Sequence, residues 1–316
     1  MHFQLRPFEP NDYPALLQLH NVVFPCEPMT LEALRHEDEH RPSPCLMKRW
    51  VAEVAGRLVG MGEYSQRPET YHPRRFWMDG YIHPDFRRQG AGSALLHRVV
   101  SELRALHPEF ALCVAQASDA NTVHFLQNKG MGEHARAWVS ALDLAAFDLA
   151  QFGGQLAALK DRNIEIKSYE ALAEHPLRDE KLFELYCEAK ELEPTVMGIH
   201  HRLEFDHFKA TRLGGPGFLP QGLLVAAQGG EWVGLSSLWQ RGEAGHIHVG
   251  FTGVRRTCQG QGIATALKVR GILYAKEQGR TCMFTSNHSM NAPILRINER
   301  LGFKRQSGRA VYKTLF

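Results

Sequence analysis

The sequence contains no long apolar run and no block of basic residues. A membrane-spanning helix requires about 18 or more consecutive apolar residues, so none is expected. Lys and Arg (37) barely outnumber Asp and Glu (34) and are spread along the chain, which argues against the clustered basic surface of a nucleic-acid-binding protein. The first residues also lack the basic and apolar regions of a secretory signal. We therefore expect a cytoplasmic protein that binds neither membranes nor nucleic acids.

Cysteine is scarce and scattered. The six thiols form no CxxC pair and lie far apart in the sequence, at Cys26, Cys45, Cys113, Cys187, Cys258 and Cys282. Zinc ribbons and redox motifs depend on closely spaced Cys pairs, so both lack their spacing here. We expect free thiols and no bound metal.

The most informative pattern is an internal repeat. Three segments recur in the same order about 170 residues later, a period far longer than the roughly 20–50 residues of a solenoid unit. The matched pairs are residues 51–60 with 225–234, 89–95 with 261–267, and 129–131 with 301–303. At 316 residues the chain also has the length of about two ordinary domains. The sequence therefore predicts duplication of a whole domain.

The boundary between the two copies is expected near residue 150. Residues 142–160 have a helix-like pattern with an interruption at Gly153 and Gly154, and a new apolar alternation begins at Ile164. The expected divisions are an N-terminal domain (1–150), a connecting helix or linker (151–162) and a C-terminal domain (163–316).

In each copy an apolar strand runs into a polar turn with glycines and then into an amphipathic helix, which predicts the α/β class. Glycine lets the backbone approach a ligand, and the first amides of a helix attract negative charge. A pyrophosphate-binding loop is therefore expected in each copy. A P-loop is disfavoured because GK[ST] is absent, and a dinucleotide fingerprint because Leu95 and Thr265 stand where a third small residue is needed.

The two loops resemble the signature of the GNAT acyltransferase superfamily, Arg/Gln-x-x-Gly-x-Gly/Ala. The matching positions are Arg87, Arg88, Gln89, Gly90, Ala91 and Gly92 in the first copy, and Gln259, Gly260, Gln261, Gly262, Ile263 and Ala264 in the second. The resemblance implies two tandem acyl-CoA N-acyltransferase domains, each with a mixed sheet, in the arrangement of mycothiol-synthase-like proteins. It also implies acetyl-CoA as co-substrate, bound at these positions and at the preceding Ile82 and Val254.

A later segment extends the resemblance. Residues 291–303 look like the family's segment of an Asn, a helix and Leu-Gly-Phe. Asn291 is suited to cap this helix, and the resemblance also makes it a candidate contact to the pantetheine arm of the co-substrate. In the first copy Asp119 stands at this position, with Asn121 nearby as a substitute.

The resemblance further suggests a general base on the fourth strand, six residues before the apolar residue that precedes the loop. That count gives His248 in the second copy and Phe76 in the first. His246 shares a face with His248, and imidazole can accept a proton near neutral pH. Glu243 is a nearby alternative. Asp79 is expected to be a weak base because its side chain points to the opposite sheet face.

The general acid that is usual in the family, a Tyr, is missing from both copies, where Leu126 and Asn298 stand. Leu126 has no proton to give, whereas Asn298 can hydrogen-bond to the departing sulfur. The second copy is therefore expected to be catalytic, and the first to bind acyl-CoA with little or no turnover.

These features predict an N-acetyltransferase that transfers the acetyl group of acetyl-CoA to a primary amine of a small molecule, by direct attack in a ternary complex. A non-catalytic acyl-CoA-binding or regulatory protein is an alternative because the Tyr is missing, and protein lysine acetylation is a third. Acceptor recognition is expected from residues 24–41 and 197–217, which lie outside the glycine loops. The sequence leaves the acceptor and the oligomeric state open.

Overall fold

A computed structural model describes residues 2–240 and 245–316. The strands are β1 (Gln4–Pro7), β2 (Met47–Val54), β3 (Arg57–Ser65), β4 (Arg75–Ile82), β5 (Phe110–Gln116), β6 (Gly132–Asp143), β7 (Ile164–Ser168), β8 (Leu224–Gln228), β9 (Glu231–Trp239), β10 (His246–Val254), β11 (Cys282–His288) and β12 (Lys304–Leu315). The helices are α1 (Tyr13–Val23), α2 (Leu31–Glu39), α3 (Ala91–Arg104), α4 (Ala120–Asn128), α5 (Gly153–Asp161), α6 (Arg178–Lys190), α7 (Phe205–Phe208), α8 (Ile263–Glu277) and α9 (Ala292–Arg300). In these residues, no helix is both long enough and apolar enough to cross a bilayer.

The chain forms two compact units, of which the first comprises residues 2–136, 196–201 and 309–316. Its sheet has the order β1-β2-β3-β4-β5 and continues with residues 309–315 of β12. The β4–β5 pair is parallel and the other neighbours are antiparallel, so the sheet is mixed. Side chains of α3 and α4 pack on one face and side chains of α1 and α2 on the other.

The second unit comprises residues 137–195 and 202–308. Its sheet begins with residues 137–143 of β6 and continues in the order β11-β10-β9-β8-β7. Here β10 and β11 form the parallel pair. Helices α5, α8 and α9 contribute to the cores on one face, and α6 and α7 to the core on the other. The α/β class with a mixed sheet, expected from the sequence, is confirmed in each unit.

The last strand of each sequence copy belongs to the other compact unit. Residues 137–143 pair with β11 of the second unit, from Ala137 opposite His288 to Asp143 opposite Cys282. Residues 309–315 pair with β5 of the first unit, from Arg309 opposite Gln116 to Leu315 opposite Phe110. The units therefore differ from a division of the chain at residues 150 and 163. Sequence periodicity could not show this, because it predicts strands and not their pairing partners.

The segment between the copies is a strand end followed by a short helix. Residues 142 and 143 extend β6, a 3₁₀ turn spans Leu149–Phe152, and α5 begins at Gly153. The helical pattern expected from residue 142 is therefore wrong in its first part, because Leu142 is held in the ladder with β11. The two glycines begin the helix instead of interrupting it.

Helix α8 carries a buried lysine. Lys268 is 2% exposed, and its ammonium has no hydrogen-bond partner among the residues that the structure describes. Its Nζ lies 5.3 Å from the centroid of the Phe303 ring. Burial lowers the pKa of Lys268 from its usual 10.5 to about 7. The native state therefore releases this proton at a pH at which the unfolded chain still holds it.

Replacing Lys268 with methionine is expected to raise the free energy of unfolding at pH 7, and the gain is expected to shrink as the pH rises. Between the folded pKa of about 7 and the unfolded value of 10.5, the unfolded wild-type chain binds more protons, so wild-type stability rises with pH. The gain at pH 7 should exceed that at pH 9 by on the order of 2 kcal/mol. Urea unfolding at both pH values measures it. An equal gain at both would show that Lys268 keeps its ordinary pKa.

Candidate active site

In the first unit the parallel strands β4 and β5 separate part of the way along. They pair only from Arg75 opposite Phe110 to Trp77 opposite Leu112, although β4 continues to Ile82 and β5 to Gln116. Beyond Trp77 the facing edges of β4 and β5 are not paired with each other. Such edges can bind an extended, amide-containing chain through strand-like hydrogen bonds.

The second unit repeats this opening. Strands β10 and β11 pair from His246 opposite Cys282 to His248 opposite Phe284. Strand β10 then continues to Val254, and β11 continues to His288, without further pairs between them. His248 therefore lies at the last paired position before the strands separate.

The glycine loop of the first unit follows β4 directly and leads into α3. Gly90 precedes the helix with a φ of 90°, and Arg88 also has a positive φ of 62°. The Arg87 guanidinium donates to the carbonyl of Ile82 (3.2 Å), and Gln89 Nε2 donates to the carbonyl of Asp85 (3.3 Å). Residues 87–90 are exposed. The first amides of α3, which have no partner within the helix, thus begin at an exposed cationic loop that fits a pyrophosphate.

The loop of the second unit has the same construction. Gly260 and Gly262 have φ values of 75° and 83°, and α8 begins at Ile263. Gln259 Nε2 donates to the carbonyl of Val254 (3.3 Å), as Arg87 does to that of Ile82. The expected cofactor positions of this copy follow one another along the turn from β10 to α8: Val254 ends the strand, Gln259, Gly260, Gln261 and Gly262 form the loop, and Ile263 and Ala264 begin the helix.

Helix α5 lies against this second loop. Gln155 Nε2 donates to the carbonyl of Gly262 (3.2 Å), and Arg162 Nη1 donates to that of Gln261 (3.3 Å). A Cβ atom on Gly262 would lie 2.6 Å from Gln155 Nε2, so only glycine fits there without displacing that side chain. The loop amides remain the candidates for binding an anion, because both contacts use carbonyl oxygens.

His246 and His248 project from the same face of β10, as expected from their spacing. Both rings contact Phe284 of β11, with centroid distances of 5.0 Å and 5.2 Å. The Phe251 side chain, further along β10, packs in the core formed with α6 and α7. Glu243, the alternative base, lies outside the described residues.

A β-bulge in β10 changes how the two copies correspond. The register with β9 shifts between Val249 and Phe251, whereas the β3–β4 pairing in the first unit has no shift. A Cβ on Gly250 at this bulge would lie 2.5 Å from the Trp239 indole. Val254 corresponds to Ile82 of the first copy. Because β10 has one extra residue at the bulge, His248 corresponds in register to Trp77 and not to Phe76. The count of six residues therefore compared positions on different sheet faces.

Asn298 is buried on α9 and bound to the neighbouring strand. Its Nδ2 donates to Asn287 Oδ1 (2.8 Å), which also accepts from the Thr285 hydroxyl (3.2 Å). One amide hydrogen of Asn298 is thus engaged and one is left. Because Asn287 is three residues beyond Phe284 on β11, Asn298 and His248 reach the strand opening from opposite sheet faces.

The helix following each opening is capped as expected in the second copy. Asn291 Oδ1 accepts from the amide of Ile294 (3.4 Å) at the start of α9. In the first copy Asp119 caps α4 by accepting from the amides of Asn121 and Thr122. Leu126 of this helix is buried in the core beside Phe76, which is fully buried.

Sequence reasoning missed a buried ion-pair network in the first unit. The Arg49 guanidinium donates to Asp38 Oδ2 (2.9 Å) and to Glu63 Oε2 (2.6 Å). The Tyr13 hydroxyl donates to the same Asp38 oxygen (2.8 Å), and burial together with this carboxylate raises the pKa of Tyr13 to about 12. The available signal in the sequence was a charged residue within a largely apolar strand, Arg49 in β2 and Glu63 in β3.

Among residues 2–240 and 245–316, no group of three His, Cys, Asp or Glu is arranged to hold a metal ion.

Comparisons with known proteins agree with this geometry. The model of the acetyltransferase (GNAT) family matches the chain twice, at residues 13–132 and 180–303. A tandem GNAT protein from the clavulanic acid biosynthesis pathway is 18% identical, with a TM-score of 0.76 over 99% of this chain and 98% of that one. A GCN5-related N-acetyltransferase from Sphaerobacter thermophilus is 20% identical, with a TM-score of 0.69 over 99% and 95%. No curated protein sequence matches significantly.

At such identities the solved structures show a shared fold, and the family match rests on the sequence of both copies. Each match includes the strand opening and the glycine loop of its unit. The chain therefore belongs to the GNAT acetyltransferase family, whose general chemistry is acyl-CoA-dependent N-acetylation.

Proposed function

We propose that this chain transfers the acetyl group of acetyl-CoA to a primary amine of a small molecule, in a ternary complex and within the second unit. The observation that supports this most is the position of His248 at the last pair before β10 and β11 separate. The glycine loop at the end of β10 supplies helix amides for the pyrophosphate of the co-substrate. One strand thus connects a candidate base to a candidate anion site.

In this proposal each residue has a defined task. The amine nitrogen attacks the thioester carbonyl carbon, the C–N bond forms, the C–S bond breaks, and the thiolate takes a proton from solvent or from a water near Asn298. His248 accepts the proton that the amine loses, directly or through water, and His246 supports it on the same strand face. Asn298 has one amide hydrogen left to donate to the departing sulfur. Asn291 caps α9 beside the path of the pantetheine arm.

The first unit is proposed to bind acyl-CoA with little turnover. The same turn from strand to helix is present, with Ile82 at the end of β4, an exposed loop at residues 87–90, and Ala91 and Gly92 at the start of α3. Leu126, at the position of the family's acid, is apolar and buried.

Because acetyl-CoA is made and used inside cells, this proposal implies a cytoplasmic site of action.

A non-catalytic acyl-CoA-binding protein is the second candidate. It is favoured by one observation, that neither Leu126 nor the hydrogen-bonded Asn298 can act as a general acid.

The proposal is tested by incubating the protein with acetyl-CoA and a panel of primary amines, and by measuring released CoA thiol and acetylated amine. We expect thiol release that depends on at least one amine. Because the chain has its own thiols, including the exposed Cys26, a sample without acetyl-CoA gives the background. Acetyl-CoA binding by calorimetry without turnover of any amine would favour the binding protein instead.

A further inference from the structure

One face of the sheet in the first unit carries alternate residues of β3 and β4, and we call its part from Arg67 to Asp79 the β4 surface. Two cross-strand pairs lie on this face, Glu63 with Asp79 and Ser65 with Trp77. Arg67 follows β3 by two residues and extends back over Trp77, with its guanidinium carbon 4.0 Å from the ring centroid. A planar guanidinium stacked on an indole keeps its N–H groups directed outward, where they can bind an anion.

The Arg67 guanidinium stacks on Trp77 and lies near the acidic side chains of Glu37 and Asp79. It has no hydrogen bond and no ion pair with any residue in the described part of the chain. Solvent reaches the side chain, while the protein packed around it lowers its pKa. Arginine with five donors and no partner is a potential site for a carboxylate, which it can bind with two parallel hydrogen bonds.

Asp79 has the opposite charge and is equally available. Its Oδ1 accepts from the amide of Gly80 (2.8 Å), and it forms no ion pair within the described residues. The side chain is exposed to solvent, yet the surrounding protein raises its pKa. Within the described residues, Asp79 is thus a solvent-accessible carboxylate with no cation bound to it. Its cross-strand neighbour Glu63 is different, because Arg49 already neutralises it.

The two charges are spaced for a single small ligand. Trp77 and Asp79 are two residues apart on one strand, which places their side chains about 7 Å apart along the same face. The guanidinium over Trp77 and the Asp79 carboxylate are therefore neighbours without forming an ion pair. Rings of Tyr81 and Phe24, 5.3 Å apart, and His20, 5.9 Å from Tyr81, form an aromatic cluster at the Asp79 end.

The β4 surface also adjoins the strand opening. Asp79 is the second residue of β4 beyond Trp77, the last residue that pairs with β5. A group bound at Asp79 thus lies where the strands separate, and one bound at Arg67 lies further inside the paired region.

We propose that the β4 surface binds a small molecule that carries both a primary amine and a carboxylate, with the carboxylate on Arg67 and the amine at Asp79. The ligand class is that of amino acids and other amino-carboxylates. The inference goes beyond the proposed function, since it assigns a ligand to the first unit, which that function leaves with little turnover. It is tested by binding alone, without an acyl donor, so that it can fail while acetyl transfer by the second unit succeeds.

The experiment is a calorimetric titration of the full chain with matched sets of three compounds. Each set contains an amino-carboxylate, the corresponding amine without the carboxylate, and the corresponding acid without the amine. Glycine, β-alanine, 4-aminobutanoate and L-phenylalanine head the four sets. We expect at least one amino-carboxylate to bind roughly tenfold or more tightly than either of its halves. Equal binding within every set, or no detectable binding, would overturn the proposal.

Two variants test which residue binds which charged group of the ligand. R67M should reduce the affinity for the amino-carboxylate to that for the corresponding amine and leave the amine unaffected. D79N should lower the affinity for the amino-carboxylate and for the amine, and leave the affinity for the acid unchanged. Matched controls are R98M, on the exposed surface of α3, and D161N, on the exposed end of α5, neither of which should change binding. If R67M weakened all three compounds equally, Arg67 would have a structural role and the proposal would be wrong.

Discussion

Replacing His248 with alanine is expected to lower kcat for amine acetylation by roughly a hundredfold or more, the usual range for loss of a general base. The acceptor amine must lose a proton when it attacks, and His248 is the imidazole at the point where β10 and β11 separate. The KM for acetyl-CoA should change little, because the glycine loop begins beyond Val254. Steady-state kinetics over a range of pH measures both quantities.

The neighbouring histidine provides an internal comparison. His246 is two residues further inside the paired region and contacts the same Phe284 ring. H246A should therefore lower kcat by a smaller factor than H248A. The exposed His97 on α3 serves as a matched control, and H97A should leave kcat unchanged. If H248A retained full activity while folded, the general base would have to be assigned to another group.

Replacing Arg49 with methionine is expected to lower the free energy of unfolding by about 3–5 kcal/mol. The Arg49 side chain is 6% exposed, and its partners Asp38 and Glu63 are 9% and 12% exposed. Removing the cation leaves Glu63 buried without a counter-charge, whereas Asp38 keeps Arg41, whose Nη2 lies 3.8 Å from Asp38 Oδ1. Urea unfolding at pH 7 measures the loss, with R98M, which removes an exposed arginine from a pair with Glu102, as the control.

The pH dependence identifies the cause of this loss. Burial raises the pKa of Glu63 even with Arg49 beside it. Without Arg49 this pKa should rise further, so the folded variant would bind more protons than the folded wild type. The loss should therefore be smaller at pH 5 than at pH 8. The double variant R49M/E63Q should recover part of it. A loss that is independent of pH and unchanged by E63Q would indicate lost packing of the arginine stem instead.

Features determined by neighbouring residues could be predicted from the sequence. The turn from strand to helix in each copy, the positive φ of Gly90 and Gly262, and the cap at Asn291 all depend on a few adjacent residues with strong conformational preferences. The repeat then showed that this local pattern occurs twice. The α/β class and the GNAT resemblance followed from these signals.

Features that depend on pairing could not be predicted in this way. The bulge at Gly250 adds one residue to β10 and moves His248 onto the register of Trp77, which a count along the sequence cannot detect. Sequence spacing also did not show that Asn298 and His248 reach the opening from opposite faces. Arg67 and Asp79 are twelve residues apart in sequence, and only the β3–β4 register makes them neighbours.

The paired segments 137–143 and 309–315 also set the order in which the protein can be completed during its synthesis. The β5 edge of the first unit has its other neighbour, β4, once residue 136 has been made, but its partner segment 309–315 is made only after the rest of the second copy. An exposed strand edge is prone to pair with other chains. A nascent chain therefore carries an unpaired β5 edge while the second copy is being synthesised, and during that interval this edge can pair with other chains and promote aggregation.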